Sequence, residues 1–86
     1  MRSIKMAYIT FDNGKTLHNP SDDIVANKLG KAKFWTHLVD RLNPNAMIQA
    51  ITDCTKQFGS SIITTKEQKI AFLEAYLSHS GEDLKL

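Results

Sequence analysis

The sequence predicts an α+β fold, an N-terminal β-hairpin packed on a bundle of three to four helices. Three observations predict it. Residues 4–11 alternate with a two-residue period and lead into Asn13-Gly14, the dipeptide best suited to the paired positive φ angles of a tight hairpin turn. Later segments place apolar residues at helical spacing between capping residues. The chain has 86 residues, 42% of them hydrophobic and 23% charged, which suits one folded domain, 1–86, rather than a disordered segment.

The hairpin is expected over residues 3–18. Ile4, Met6 and Tyr8 take one face and Ile9 and Phe11 compete for the same role, since a shift of one residue reverses which face is buried. Asn19-Pro20 then ends the hairpin, and Ser21, Asp22 and Asp23 begin a helix at the end where its dipole favours carboxylates. This helix is expected over about 22–42, with Ile24, Ala32, Trp35, Leu38, Val39 and Leu42 on one face. Lys28 falls in the middle of that face, and Gly30 follows it. The pattern reads as a break at residue 30, or as a continuous helix from which Lys28 extends its ammonium to solvent.

Asn43-Pro44-Asn45 stops that helix, and Asn45 is expected to cap the next, over 46–58, with Gly59 closing it. Met47, Ile51, Cys54 and Phe58 form its stripe, with Ile48 and Ala50 beside it. Ile62-Ile63 is either a third strand or an apolar loop plug. Thr65 and Gln68 have the spacing of a capping box for the last helix, 66–79, whose core face is Ile70, Leu73 and Leu77. Residues after Gly81 are expected to fray. The expected core draws on Ile4, Met6, Tyr8 and Leu17 of the hairpin. From the helices it adds Ile24, Val25, Leu29, Trp35, Leu38, Val39, Leu42, Met47, Ile48, Ile51, Cys54, Phe58, Ile70, Leu73 and Leu77, with Ile62 from the loop.

Reactive side chains are few. His18, His37 and His79 lie far apart in sequence, and the single cysteine, Cys54, falls inside an apolar stripe, where a thiol behaves as a small hydrophobe. No cluster has the spacing of a zinc site, and neither Gly-Lys pair has the context of a phosphate loop. No catalytic residue, metal or cofactor is therefore expected, and the chain is read as a non-enzyme. A lone cysteine cannot form an internal disulfide, and no apolar run approaches the length of a membrane span. With no leader-like stretch at residues 1–6, a cytoplasmic location is expected.

So small a fold has little core to give up to a pocket, so contact with a partner is favoured over turnover. Phe72 and Tyr76, one helical turn apart, look like aromatics beyond what the core needs. With Lys69 and Phe34 they are the expected anchors of a small binding or regulatory protein that acts by protein–protein contact. The unpaired hairpin edge would also allow a homodimer. The alternative is a nucleic-acid-binding accessory protein. Lys28, Lys31 and Lys33 cluster around Gly30 beside Phe34 and Trp35, and Arg41 follows. The net charge of only +2 makes that footprint modest.

Overall fold

In the computed structural model, residues 7–11 and 16–86 are described. The expected core residues Ile4 and Met6 and the hairpin turn at residues 12–15 lie outside them. The described residues form β1 (Ile9–Thr10), β2 (Leu17–His18), α1 (Asp23–Leu29), α2 (Ala32–Val39), α3 (Pro44–Phe58), α4 (Lys66–Ser80) and β3 (Leu84–Lys85). This is the α+β fold with an N-terminal hairpin that the sequence predicts, and it gains a strand the sequence reading missed.

β1 lies between the other two strands. It pairs antiparallel with β2, Ile9 opposite His18 and Thr10 opposite Leu17, and parallel with β3, Ile9 opposite Leu84 and Thr10 opposite Lys85. The register decides the buried face. Ile9 is fully buried and its partner His18 nearly so, while Leu17 is 52% exposed. Opposed residues share a face, so putting Ile9 inside carries His18 in with it and turns Leu17 out. The expectation of Tyr8 and Leu17 as core therefore fails on one shift of phase; Tyr8 is half-buried.

The chain end does not fray. The backbone N–H groups of Leu84 and Leu86 donate to the carbonyls of Tyr8 and Thr10, each at 2.8 Å. The Asp83 carboxylate accepts from the Tyr8 N–H at 2.9 Å. Leu84 is buried. This strand is reached because Gly81 ends α4 at φ +69°, a left-handed turn that glycine adopts freely and that sends the chain back along β1. β3 also covers the second edge of β1, so the hairpin edge expected to mediate dimerisation is filled from within the chain on that side.

The long segment after the hairpin is two helices. Gly30 caps α1, and α2 restarts after an extended Lys31. Because the break resets the helical phase, a single wheel over 22–42 misplaces Ile24, which is 49% exposed, while Val25, Ala26 and Leu29 are buried. Two caps sit a residue or two from their expected places. Asp22, not Ser21, accepts from the Ile24 N–H at 2.9 Å. Asn43, not Asn45, caps α3, accepting from Asn45 at 2.9 Å and Ala46 at 3.4 Å. Pro44 occupies the first turn, where its missing N–H costs nothing. The Thr65–Gln68 capping box forms as expected.

The largest revision concerns which faces meet. α3 and α4 pack along each other, and α1 also packs on α4. α3 turns its small residues Ala46, Ala50 and Cys54 inward, and α4 answers with Phe72, Leu73, Tyr76 and Leu77. Small residues on one helix let the bulky ones of its neighbour approach, so volume is conserved across the contact. The consequence is that Ile48, Phe58 and Ile62, all expected in the core, are 60%, 37% and 65% exposed. Met47, Ile51 and Ile70 are half-buried at the core's margin, as are Trp35 and Val39. Ile62-Ile63 forms no strand, and Ile63 packs against the core as a plug.

Candidate functional site

The expected protein-contact anchors do not form a surface. Phe72 is 3% exposed and Tyr76 5%. Helices lie on more than one side of α4, which buries a wide arc of it rather than a narrow stripe. The Phe72 ring meets Trp35 of α2 edge-on, centroids 5.9 Å apart at 67°. The Tyr76 hydroxyl accepts from the Asn43 N–H at 2.8 Å, at the start of α3. Lys69 is likewise committed to the fold. Its Nζ donates to the Leu29 carbonyl at 3.0 Å and lies 5.0 Å from the Trp35 ring centroid. A cation at the open carbonyl end of α1 complements the helix dipole, so Lys69 fastens α4 to α1 and α2. No spacing rule within one helix would have found this contact across 40 residues.

Phe34 has a different setting. It is half-buried and meets Phe11 of the hairpin, ring centroids 6.0 Å apart at 58°. Phe11 in turn meets His18 at 5.2 Å and 42°. Lys28 lies over both phenyl rings, its Nζ 5.4 Å from the Phe11 centroid and 5.7 Å from that of Phe34. These side chains, with His37, line an open cleft of about 590 Å³ between the hairpin and the α1–α2 corner. The His18 imidazole lies 3.5 Å from the Asp22 carboxylate. The Asp22 carboxyl is held below its ordinary value, first by the Ile24 N–H it accepts from and then by His18. His37 accepts from the Arg41 Nε at 3.1 Å. The structure thus gathers Lys28 with Phe34 and links Arg41 to the cleft through His37. Lys31 and Lys33 are exposed at the α1–α2 corner.

Electrostatically the corner is open. The two ion pairs among the described residues are His18–Asp22 and His79–Asp53, so none of the described lysines or arginines is matched to a carboxylate. Sequence reasoning found Lys28 and Phe34 but missed Phe11, His18 and His37. Their only signal was that the hairpin's inner face had to meet the helices somewhere.

Cys54 is 1% exposed in the core, and burial, with the charge of Asp53 beside it, pushes its thiol above the usual range. A thiol held protonated is a poor nucleophile. Among the described residues no three His, Cys, Asp or Glu side chains gather as metal ligands, and no helix is long and apolar enough to cross a membrane.

A second surface lies on α3. Ile48, Ile51, Thr55 and Phe58 follow one another at spacings of three, four and three residues. That spacing keeps them on one side of the helix, as in the seam of a coiled coil. Ile62 is exposed in the loop that follows α3. Comparison with family models, curated proteins and solved structures finds no match to this chain.

Proposed function

We propose that this chain is a small non-enzymatic binding protein that acts by contact with a protein partner through the outward seam of α3. The observation that supports this reading is the inverted packing of that helix. Ala46, Ala50 and Cys54 are buried while Ile48 and Phe58 are exposed, with Ile62 exposed beyond them. Selection for stability alone would place the larger aliphatics inside, since each fully buried side chain of that size contributes about 1.5–3 kcal/mol. Large apolar side chains clustered on one face mark an interaction surface more often than isolated ones do.

The test is affinity capture from source cells after nuclease treatment, with the wild type and an Ile48→Ser/Ile62→Ser variant, followed by direct binding of the purified partner. The variant keeps its melting temperature, because both side chains are solvated in the free chain, and binds the partner at least tenfold more weakly. Equal binding by both proteins, or no saturable partner for the wild type, overturns the reading. The alternative, a nucleic-acid-binding accessory protein, is favoured by one observation: among the described residues Lys28, Lys31, Lys33 and Arg41 have no carboxylate partner, and Lys28 shares a cleft with two aromatic rings.

A further inference from the structure

We propose that the cleft between the hairpin and the α1–α2 corner binds a nucleotide unit of a single-stranded nucleic acid, with Phe11 and Phe34 as the faces for the base and Lys28 as the cation for its phosphate. The inference rests on the nucleic-acid alternative above and is independent of the α3 seam.

The cleft is a built site in three respects. Its volume, about 590 Å³, lies within the range of clefts that hold small ligands, roughly 300–1,000 Å³. Its walls are flat and apolar on one side, from the tilted Phe11 and Phe34 rings 6.0 Å apart. Its polar lining includes two basic side chains, Lys28 and His37, with Thr16 and His18 beside them. Lys28 contributes its ammonium, and His37 brings the Arg41 guanidinium with it at 3.1 Å. Among the described residues, the Asp22 carboxylate lies 3.5 Å from His18 of the lining.

The two half-buried lysines among the described residues make the point by contrast. Both lie over aromatic rings. Lys69 also has a carbonyl acceptor at 3.0 Å and is satisfied within the fold. Among the described residues Lys28 has two rings and neither a carbonyl nor a carboxylate, so its strongest partner would be an anion from outside. Aromatic rings beside an unmatched cation suit a ligand that is planar at one end and anionic at the other. A base with its phosphate has that form. Duplex nucleic acid hides its base faces in the stack, whereas a single strand offers them. Lys31 and Lys33, exposed at the same corner, give the neighbouring phosphates of a strand somewhere to go.

The test is fluorescence anisotropy at low salt with labelled twelve-nucleotide oligo-dT and oligo-U, a duplex of equal length, and unlabelled AMP and UMP as competitors. Wild type, Lys28→Met and Phe34→Leu are compared; both substitutions keep apolar bulk, and urea midpoints check the fold. The single strands bind and the duplex does not. Phe34→Leu weakens binding by roughly 5- to 150-fold, the range of one stacked base. Lys28→Met flattens the slope of log affinity against log salt by about 0.7, the loss of one single-strand phosphate contact. Competition by AMP or UMP at micromolar concentration assigns the cleft to free nucleotides and still supports the site. Absence of binding removes both the inference and the nucleic-acid alternative. Duplex binding as tight as single-strand binding, or binding insensitive to both substitutions, overturns the cleft assignment alone.

Discussion

Replacing Phe72 by alanine removes one of the two aromatic side chains that α4 contributes to the core, and the loss can be scaled from its surroundings. The ring is 3% exposed, so nearly all of its transfer free energy is at stake, together with the cavity left behind. Such a change costs about 3–5 kcal/mol. The edge-on contact with Trp35 at 5.9 Å is part of that sum, being of a kind that contributes about 0.5–1.5 kcal/mol. At roughly 0.05–0.15 kcal/mol per residue, a chain of this length has about 4–13 kcal/mol to lose, so the variant is expected to be largely destabilised and unfolded at the low end of that range. The assay is urea denaturation followed by the fluorescence of Trp35, the only tryptophan, with far-UV circular dichroism alongside. Phe58→Ala is the control. Its ring is 37% exposed on α3, and its loss should cost about 1 kcal/mol or less. A Phe72→Ala loss below about 1.5 kcal/mol with an unchanged denaturant slope would refute the packing of α4 described above and return Phe72 to the surface as a contact residue.

Two further outcomes follow from local geometry and electrostatics. Gly81→Ala puts a side chain at φ +69° with nothing within 4 Å of it, so the cost is backbone strain alone, about 1–2 kcal/mol. Gly30→Ala, at φ −74° and with only the Asn27 carbonyl at 3.9 Å, should be neutral or stabilising by up to about 1 kcal/mol; equal urea midpoints for the two variants would contradict the left-handed turn into β3. Asp22 has a lowered folded pKa, so the stability its charge supplies is fully present above the ordinary aspartate value near 4 and is lost as pH falls through the lower folded value. Asp22→Asn keeps the cap but not the charge. The gap in melting temperature between it and the wild type should be widest above pH 4 and close toward pH 2, and a gap that widens on acidification would reverse the assignment.

The capping box, the glycine stop and the break were the most legible part of this chain, because they depend on two to four adjacent residues, while the N-caps of α1 and α3 fell a residue or two away. Thr65 with Gln68, Gly59 after Phe58 and the interruption at Gly30 all form where the sequence places them. Faces were less legible. A wheel drawn on α3 gives Met47, Ile51, Cys54 and Phe58; Cys54 is buried as expected, but Ala46 and Ala50 join it while Met47 and Ile51 stay at the margin and Phe58 is exposed, because α4 brings the bulk. The choice belongs to the pair of helices and is not written in either. The same holds for the hairpin, where Ile9 rather than Tyr8 faces inward once β3 and the helices are in place. β3 itself was hidden because Leu84-Lys85 is too short to show a period, and its pairing is decided by the turn at Gly81 and by Asp83 bonding to Tyr8. Of the candidate cleft, Lys28 and Phe34 could be read as neighbours in sequence. Phe11, His18 and His37 join them only through the docking of the hairpin on the α1–α2 corner.

That docking also explains why Lys28 was the awkward residue of the helical wheel. On a continuous helix it would project from the middle of an apolar face and have to extend past it to water. The break at Gly30 removes the conflict by ending α1 at Leu29, and the lysine ammonium lies over rings supplied by α2 and by Phe11 of the hairpin. A methionine or leucine there would pack on Phe11 and Phe34 at least as well, without drawing a charge partly out of water. The cation–π contacts recover part of that desolvation cost, about 0.5–2 kcal/mol for such a contact, but they leave the ammonium with no acceptor of its own among the described residues. Lys69, in a similar aromatic setting, has the Leu29 carbonyl. A fold that satisfies one lysine and leaves the other open beside a cleft has placed its unmet interaction where a ligand can reach it. On that physical ground the cleft is the stronger place to look for an anion, and the seam of α3, which contains no charged side chain, the stronger place to look for a protein.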